Sequence, residues 1–134
     1  MFEILLGHLV GDYLLQNNWM AFNKSKYNNT GWLTCIIHCL LYSLSVCFFM
    51  WQWTTIWFIM IFLSHFVLDK FELPEKYLKL IHGRSLERFI KNSENKEYTP
   101  YVGLQSGFTS LVYAVVDNTI HLLIIWSMWT FLLR

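Results

Sequence analysis

Residues 31–51 read GWLTCIIHCLLYSLSVCFFMW. The run contains no Asp, Glu, Lys or Arg and reaches the roughly 20 residues that a helix needs to cross the hydrocarbon core of a bilayer. It shows no period-2 alternation, so a helix is predicted rather than a barrel strand. One residue does not belong in such a run. His38 sits in its middle, where a polar ring is costly to bury.

Working outward, the uncharged zone extends from Tyr27 to Leu68. A minimal turn near Gln52 separates the first run from a second, WTTIWFIMIFLSHFVLDK, so the two are expected to form a tight hairpin of helices. Two further apolar segments flank this pair, one at the start of the chain and one from about Gly107 to Leu133. The predicted fold is all-α: an integral membrane bundle of four transmembrane helices over about residues 2–18, 31–51, 53–70 and 105–133, forming a single membrane domain over 1–134. Of the 134 residues, 55% are hydrophobic and only 14% charged, against about a quarter charged in soluble domains. With a formal net charge of +1 and no basic stripe, no nucleic-acid partner is expected; membrane lipid is, and a homo-oligomer is compatible. The first segment lacks a basic leader and a small-residue cleavage site, so it is read as part of the mature fold rather than as a signal peptide. Cys35, Cys39 and Cys47 lie in one apolar run without a CxxC spacing and read as small buried hydrophobes.

Charge is segregated into the connections. NNWMAFNKSKYNNT carries Lys24 and Lys26, and the connection after Asp69 carries Lys70, Lys76, Lys79, Arg84, Arg88, Lys91 and Lys96. Four crossings put both connections on one side. The positive-inside tendency makes that side cytoplasmic, with both termini outside. Within the long connection, residues 74–92 mix apolar and basic positions at helical spacing, as an amphipathic helix on the membrane interface would. Pro74 suits its start and Gly83 a break within it.

The polar residues inside the apolar segments form a pattern. His8 and Asp12, His65 and Asp69, and Asp117 and His121 are three pairs spaced i, i+4, and His38 is a seventh residue. Residues four apart share a helix face about 6 Å apart along the axis, so each pair can point at one spot in a bundle interior. Measured from the connection side, most of them share a level in the cytoplasmic half. Polar packing, a proton or ion path, or ligation of metal would each satisfy them. Repetition of the pair favours metal. Four imidazoles and three carboxylates suit Zn first, then Mn or Fe, better than the all-oxygen shells of Ca or Mg. Seven ligands, His8, Asp12, His38, His65, Asp69, Asp117 and His121, are more than one tetrahedral ion takes, so one or two ions are expected. Asp12, Asp69 and Asp117 are the candidate catalytic carboxylates, a spare one acting as general base. Gln16, one turn beyond Asp12, is a candidate to orient a ligand or substrate, and Arg84 and Arg88 to hold a phosphate or anionic lipid. His82 reads as a solvated or interfacial histidine.

HLVGDYLLQNNWMAFNKSK, followed by SHFVLD and VDNTIHLL, resembles a bacterial and phage membrane-protein family, Domain of Unknown Function 3307. The family pattern is H-x3-D-x3-Q before a Met and a Lys-rich connection, then a second H-x3-D and a D-Q-x2-H-like element. Here Asn118 stands where Gln is usual. More distantly, the pattern is similar to membrane-bound metal-dependent hydrolases, which implies hydrolysis; a site opening to the cytoplasmic leaflet suggests a lipid, lipid-linked or phosphoester substrate. The alternative is a non-enzymatic conductor or regulator with a structural metal site.

Overall fold

The structure, a computed structural model, describes residues 2–83 and 100–132. Among them there is no strand. The helices are α1 (Phe2–Leu9), continued by a π turn (Val10–Leu14), α2 (Asn18–Asn23), α3 (Asn29–Met50), α4 (Thr55–Lys70), α5 (Leu73–His82) and α6 (Pro100–Leu132). The chain divides into two compact units, one of residues 1–72 with 121–134 and one of residues 73–120.

The first apolar segment, expected as one helix over 2–18, is not uniform. Its α-helical ladder widens at Val10, where the amide of Leu15 reaches back five residues to the Val10 carbonyl at 3.0 Å, and Asp12 lies in the widened turn. Asn17 then adopts an extended conformation and caps α2, its side chain accepting from the Met20 amide at 2.9 Å. Asn28 does the same for α3, accepting from the Gly31 amide at 2.7 Å. Both satisfy amides that a helix start leaves without partners. At the far end of α3, Trp51 takes a left-handed conformation with φ 53, and the amides of Trp51 and Gln52 close onto the Phe48 and Cys47 carbonyls. That turn folds α4 back along α3.

α3 is the central element of the first unit, packing against α1, the π turn, α2 and α4. Its core joins Ile4, Tyr42, Val46, Trp57, Ile61 and Ile125. Two glycines set the approach of α1. A Cβ on Gly7 would lie 2.8 Å from the Val46 Cα, and one on Gly11 would lie 2.6 Å from the Tyr42 ring. Ser45 exploits the closeness, its hydroxyl donating to the Gly7 carbonyl at 2.9 Å. Small residues at such a crossing are how helices gain contact where no hydrophobic drive separates helix from surroundings.

The lateral surface inverts the usual arrangement of a soluble domain. On α4, Ile56, Ile59, Leu63 and Val67 are exposed, whereas His65, Asp69 and Lys70 are buried. On α3, Leu33, Ile37, Leu40, Leu44 and Phe48 are exposed, whereas Thr34, His38 and Ser45 are buried. Among the described residues, two helical stretches are long and apolar enough to cross a membrane, Asn29–Met50 and Gly107–Phe131.

Lys70 is fully buried. Its ammonium donates to the carbonyls of Lys26 at 2.7 Å and Lys24 at 3.3 Å and lies 4.4 Å from the centre of the Trp32 ring. It therefore pins the 24–28 connection to the end of α4. Charge-assisted hydrogen bonds are worth about 1.5–3 kcal/mol, so Lys70→Met is expected to release this connection. Limited trypsin digestion in detergent should cut after Lys24 and Lys26 faster than in wild type; an unchanged rate would refute the pinning role.

In the second unit, α5 leaves Tyr77, Leu80 and Ile81 exposed and buries Leu78, with Lys79 paired to Glu75 at 3.2 Å. It ends at Gly83, whose φ of +60 a side chain would disfavour. The interfacial helix expected over 74–92 is thus described only as far as this glycine. Arg84 and Arg88 lie outside the described residues, as does the side chain of His82.

Candidate metal centre

Six of the seven residues singled out in the sequence come together in the first unit: His8, Asp12, His38, His65, Asp69 and His121. Asp117, one turn before His121 in α6, belongs to the second unit. The π turn brings Asp12, the middle of α3 brings His38, and the last turns of α4 bring His65 and Asp69. The imidazoles are 0–2% exposed, Asp69 4% and Asp12 10%.

Four donor atoms converge. The Nε2 atoms of His38 and His65 face each other at 2.9 Å. Asp12 Oδ1 is 3.3 Å from each of them, and Asp69 Oδ2 is 3.1 Å from His38 Nε2 and 3.3 Å from His65 Nε2. Ligand atoms around one ion with bonds of about 2.0 Å lie about 3 Å apart, and the separations among Asp12 Oδ1 and the two imidazole nitrogens are of that size. Asp12 Oδ1 is buried and makes no hydrogen bond among the described residues, an expensive condition for a carboxylate oxygen unless a cation meets it. The residues present can therefore hold a metal ion. The groups Asp12, His38, His65 and His65, Asp69, His121 each offer ligand atoms within 4.8 Å of one another.

The surroundings orient these donors. Tyr42 stacks on His65 with ring centres 3.6 Å apart, and its hydroxyl is 2.8 Å from His8 Nδ1. Nδ1 of His38 and of His65 makes no hydrogen bond among the described residues, so packing, with Tyr42 foremost, sets the plane of the His65 ring. His8 is placed beside the four donors rather than among them, its Nδ1 3.4 Å from Asp12 Oδ2. His121 Nε2 is 3.6 Å from Asp69 Oδ1, the oxygen on the far side of that carboxylate from His38. Both Asp12 and Asp69 thus contribute to the donor set. Cys35 and Cys39 are buried with sulfurs 3.9 Å apart and serve as packing.

On the connection side, Lys24 Nζ donates to Asp69 Oδ2 at 2.6 Å. With its amide oriented to suit both neighbours, Gln16 accepts from Lys24 Nζ at 3.0 Å and donates to the Asp12 carbonyl at 3.2 Å. Tyr42 and Lys24 were not among the candidate site residues read from the sequence. Tyr42 had a usable signal, since it stands four residues after His38 on the same face. Lys24 had none beyond its charge.

An all-helical protein with helices able to span a bilayer and a buried His/Asp cluster able to hold a metal ion is the class these features define. The chain belongs to the family described as protein of unknown function (DUF3307), whose model matches residues 1–134. No curated protein and no solved structure matches it.

Proposed function

We propose that this protein is an integral-membrane metal-dependent hydrolase of the bacterial inner membrane, acting on a lipid, lipid-linked or other phosphoester substrate near the cytoplasmic leaflet. The observation that carries the metal is the pair of buried three-residue groups sharing His65, Asp12 with His38 and His65, and His65 with Asp69 and His121, each with its ligand atoms within 4.8 Å of one another. Mixed imidazole and carboxylate donors suit Zn first, then Mn or Fe. The apolar exterior of α3 and α4 around a polar interior supports the membrane setting. α4, at 16 residues, is about 24 Å long, and with α1 it would complete the four-helix bundle. Lys70 bound to the carbonyls of Lys24 and Lys26 groups basic residues of both connections at one end, which supports a cytoplasmic placement of that end and termini outside.

A metal held here would acidify water and polarise a phosphoryl or acyl oxygen. The chain's own residues do the rest. Asp12 is the most exposed of the four donors and rides on a π turn, a feature frequent at functional sites, so it is the carboxylate best placed to give up a position and accept a proton. His8, next to its other oxygen and bonded to Tyr42, can hold or pass that proton. His121 with Asp69 Oδ1 offers the start of a second cation position.

The test is the metal content of protein purified in detergent without chelator, followed by hydrolysis of a panel of phosphoester and acyl-ester lipids before and after chelation. Bound Zn and chelator-sensitive turnover are expected. Metal-free protein would defeat this reading. Metal without turnover of any panel member would move the centre to a structural role. A second reading is favoured by the unbroken line of contacts from Lys24 through Asp69, His38 and His65, Asp12 and His8 to Tyr42, which suits a proton path; proton flux into liposomes carrying the protein tests it.

A further inference from the structure

We infer that His65, Asp69 and His121 form a second position for the metal ion, an alternative to the one made by Asp12, His38 and His65, and that the two are never filled together. This rests on the metal-dependent reading and adds to it what keeps the ion in the protein when Asp12 lets go.

The two groups share one imidazole. A neutral imidazole has a single nitrogen lone pair to offer, so His65 can bind one ion and not two. Its Nε2 is 3.3 Å from Asp12 Oδ1 and 3.3 Å from Asp69 Oδ2, within reach of a carboxylate from either group. Three protein donors are the set that catalytic zinc ions use, and each group supplies three. The His65 ring itself is held. It is 1% exposed and stacked on Tyr42 with ring centres 3.6 Å apart, so a change of group moves the ion and not the ring.

The groups differ in how firmly their carboxylates are placed. Asp12 is 10% exposed and stands on the π turn, whereas Asp69 is 4% exposed and belongs to the regular last turns of α4. Asp69 also spans its own group. Its Oδ2 is 3.3 Å from His65 Nε2 and 2.6 Å from Lys24 Nζ, and its Oδ1 is 3.6 Å from His121 Nε2. Lys24 can therefore keep its oxygen while the other one serves the ion. The His121 ring lies 4.4 Å from that of His65, centre to centre. An ion that loses Asp12 finds a carboxylate and a further imidazole around the nitrogen that it already holds. Asp12 is then free to act on a substrate without costing the protein its metal.

The test is zinc binding by the full-length protein in detergent. Native mass spectrometry counts the ions, competition with a chelator gives the affinity, and the visible spectrum of the cobalt(II) form reports the donor set. Wild type is expected to hold one ion. Changing even an outer partner of a ligand costs about 10–100-fold in affinity, so losing a ligand that has no substitute would cost more. Asp12→Ala, with the second position to fall back on, should lose only about tenfold, still hold one ion and change the cobalt spectrum. His121→Phe, which keeps a ring against Tyr42 and His65, should match wild type in affinity and spectrum. Asp12→Ala with His121→Phe should lose the ion, a deficit about tenfold or more beyond the product of the single losses. His38→Ala vacates the same position as Asp12→Ala and should show the same dependence on His121, which covers the case that Asp12→Ala does not fold. The inference is overturned if wild type holds two ions, if Asp12→Ala alone abolishes binding, or if His121→Phe costs the same with and without Asp12. Each of those results leaves the hydrolase reading standing. One ion with the full dependence on His121, but no turnover of any ester, would remove the hydrolase reading and keep the two positions. Metal-free wild type overturns both.

Discussion

Replacing His65 with alanine is expected to strip the protein of its metal. His65 is the one residue common to both groups of donors that can hold an ion, and its Nε2 is within 3.3 Å of three other donor atoms. Changing an outer partner of a metal ligand costs about 10–100-fold in affinity, so loss of the ligand itself should exceed about 100-fold. The substitution also takes from Asp12 and Asp69 an imidazole that lies 3.3 Å from a carboxylate oxygen of each. Wild type should therefore unfold at a lower temperature after chelation and recover with added Zn. Saturation a thousandfold above the dissociation constant contributes about 4 kcal/mol. His65→Ala should melt near the chelated wild type and respond to neither treatment. Metal analysis by mass spectrometry and thermal unfolding in detergent check both points. A His65→Ala protein that retains a full complement of ion would refute His65 as a ligand.

Gly7→Leu is expected to have an effect of similar size without touching any donor. The nearest obstacle to a side chain there is the Val46 Cα at 2.8 Å, with the Ser45 carbonyl oxygen at 3.4 Å, and backbone atoms of a packed helix cannot step aside as a side-chain tip can. α1 must then move away from α3 and take the π turn with it. Overpacking of this kind costs about 1–3 kcal/mol. The larger consequence is that Asp12 Oδ1 no longer lies 3.3 Å from His38 and His65, so bound metal should fall by tenfold or more. Gly107→Leu is the control, since a Cβ at Gly107 meets nothing within 4 Å. If both variants keep their metal equally well, the close crossing of α1 and α3 is not what delivers Asp12.

The helices and the paired polar residues were legible in the sequence because both depend on local periodicity. An uncharged apolar run such as 31–51 has few ways to satisfy its backbone other than as a helix, and the structure has α3 at Asn29–Met50. A His and an Asp four residues apart share a face whatever surrounds them, so the presentation of His65 with Asp69 needed no tertiary knowledge. The break in the first segment was harder to see. Asn17 is a strong cap, but the π turn at Val10–Leu14 lies where Gly11 fits against Tyr42, a contact between residues 31 positions apart in the chain.

What lay beyond the sequence is which atoms meet. Spacing assigns a residue to a face and leaves open the rotation of that face about its helix axis. The packing of α1, α3 and α4, with Gly7 close against Val46, brings His38, His65, Asp12 and Asp69 together while placing His8 on Tyr42. The same packing makes Lys24 a partner of Asp69 and buries Lys70 under the 24–28 connection. In the sequence these two lysines are only members of a basic count. Their separate roles come from long-range contacts, and local pattern carries no information about those.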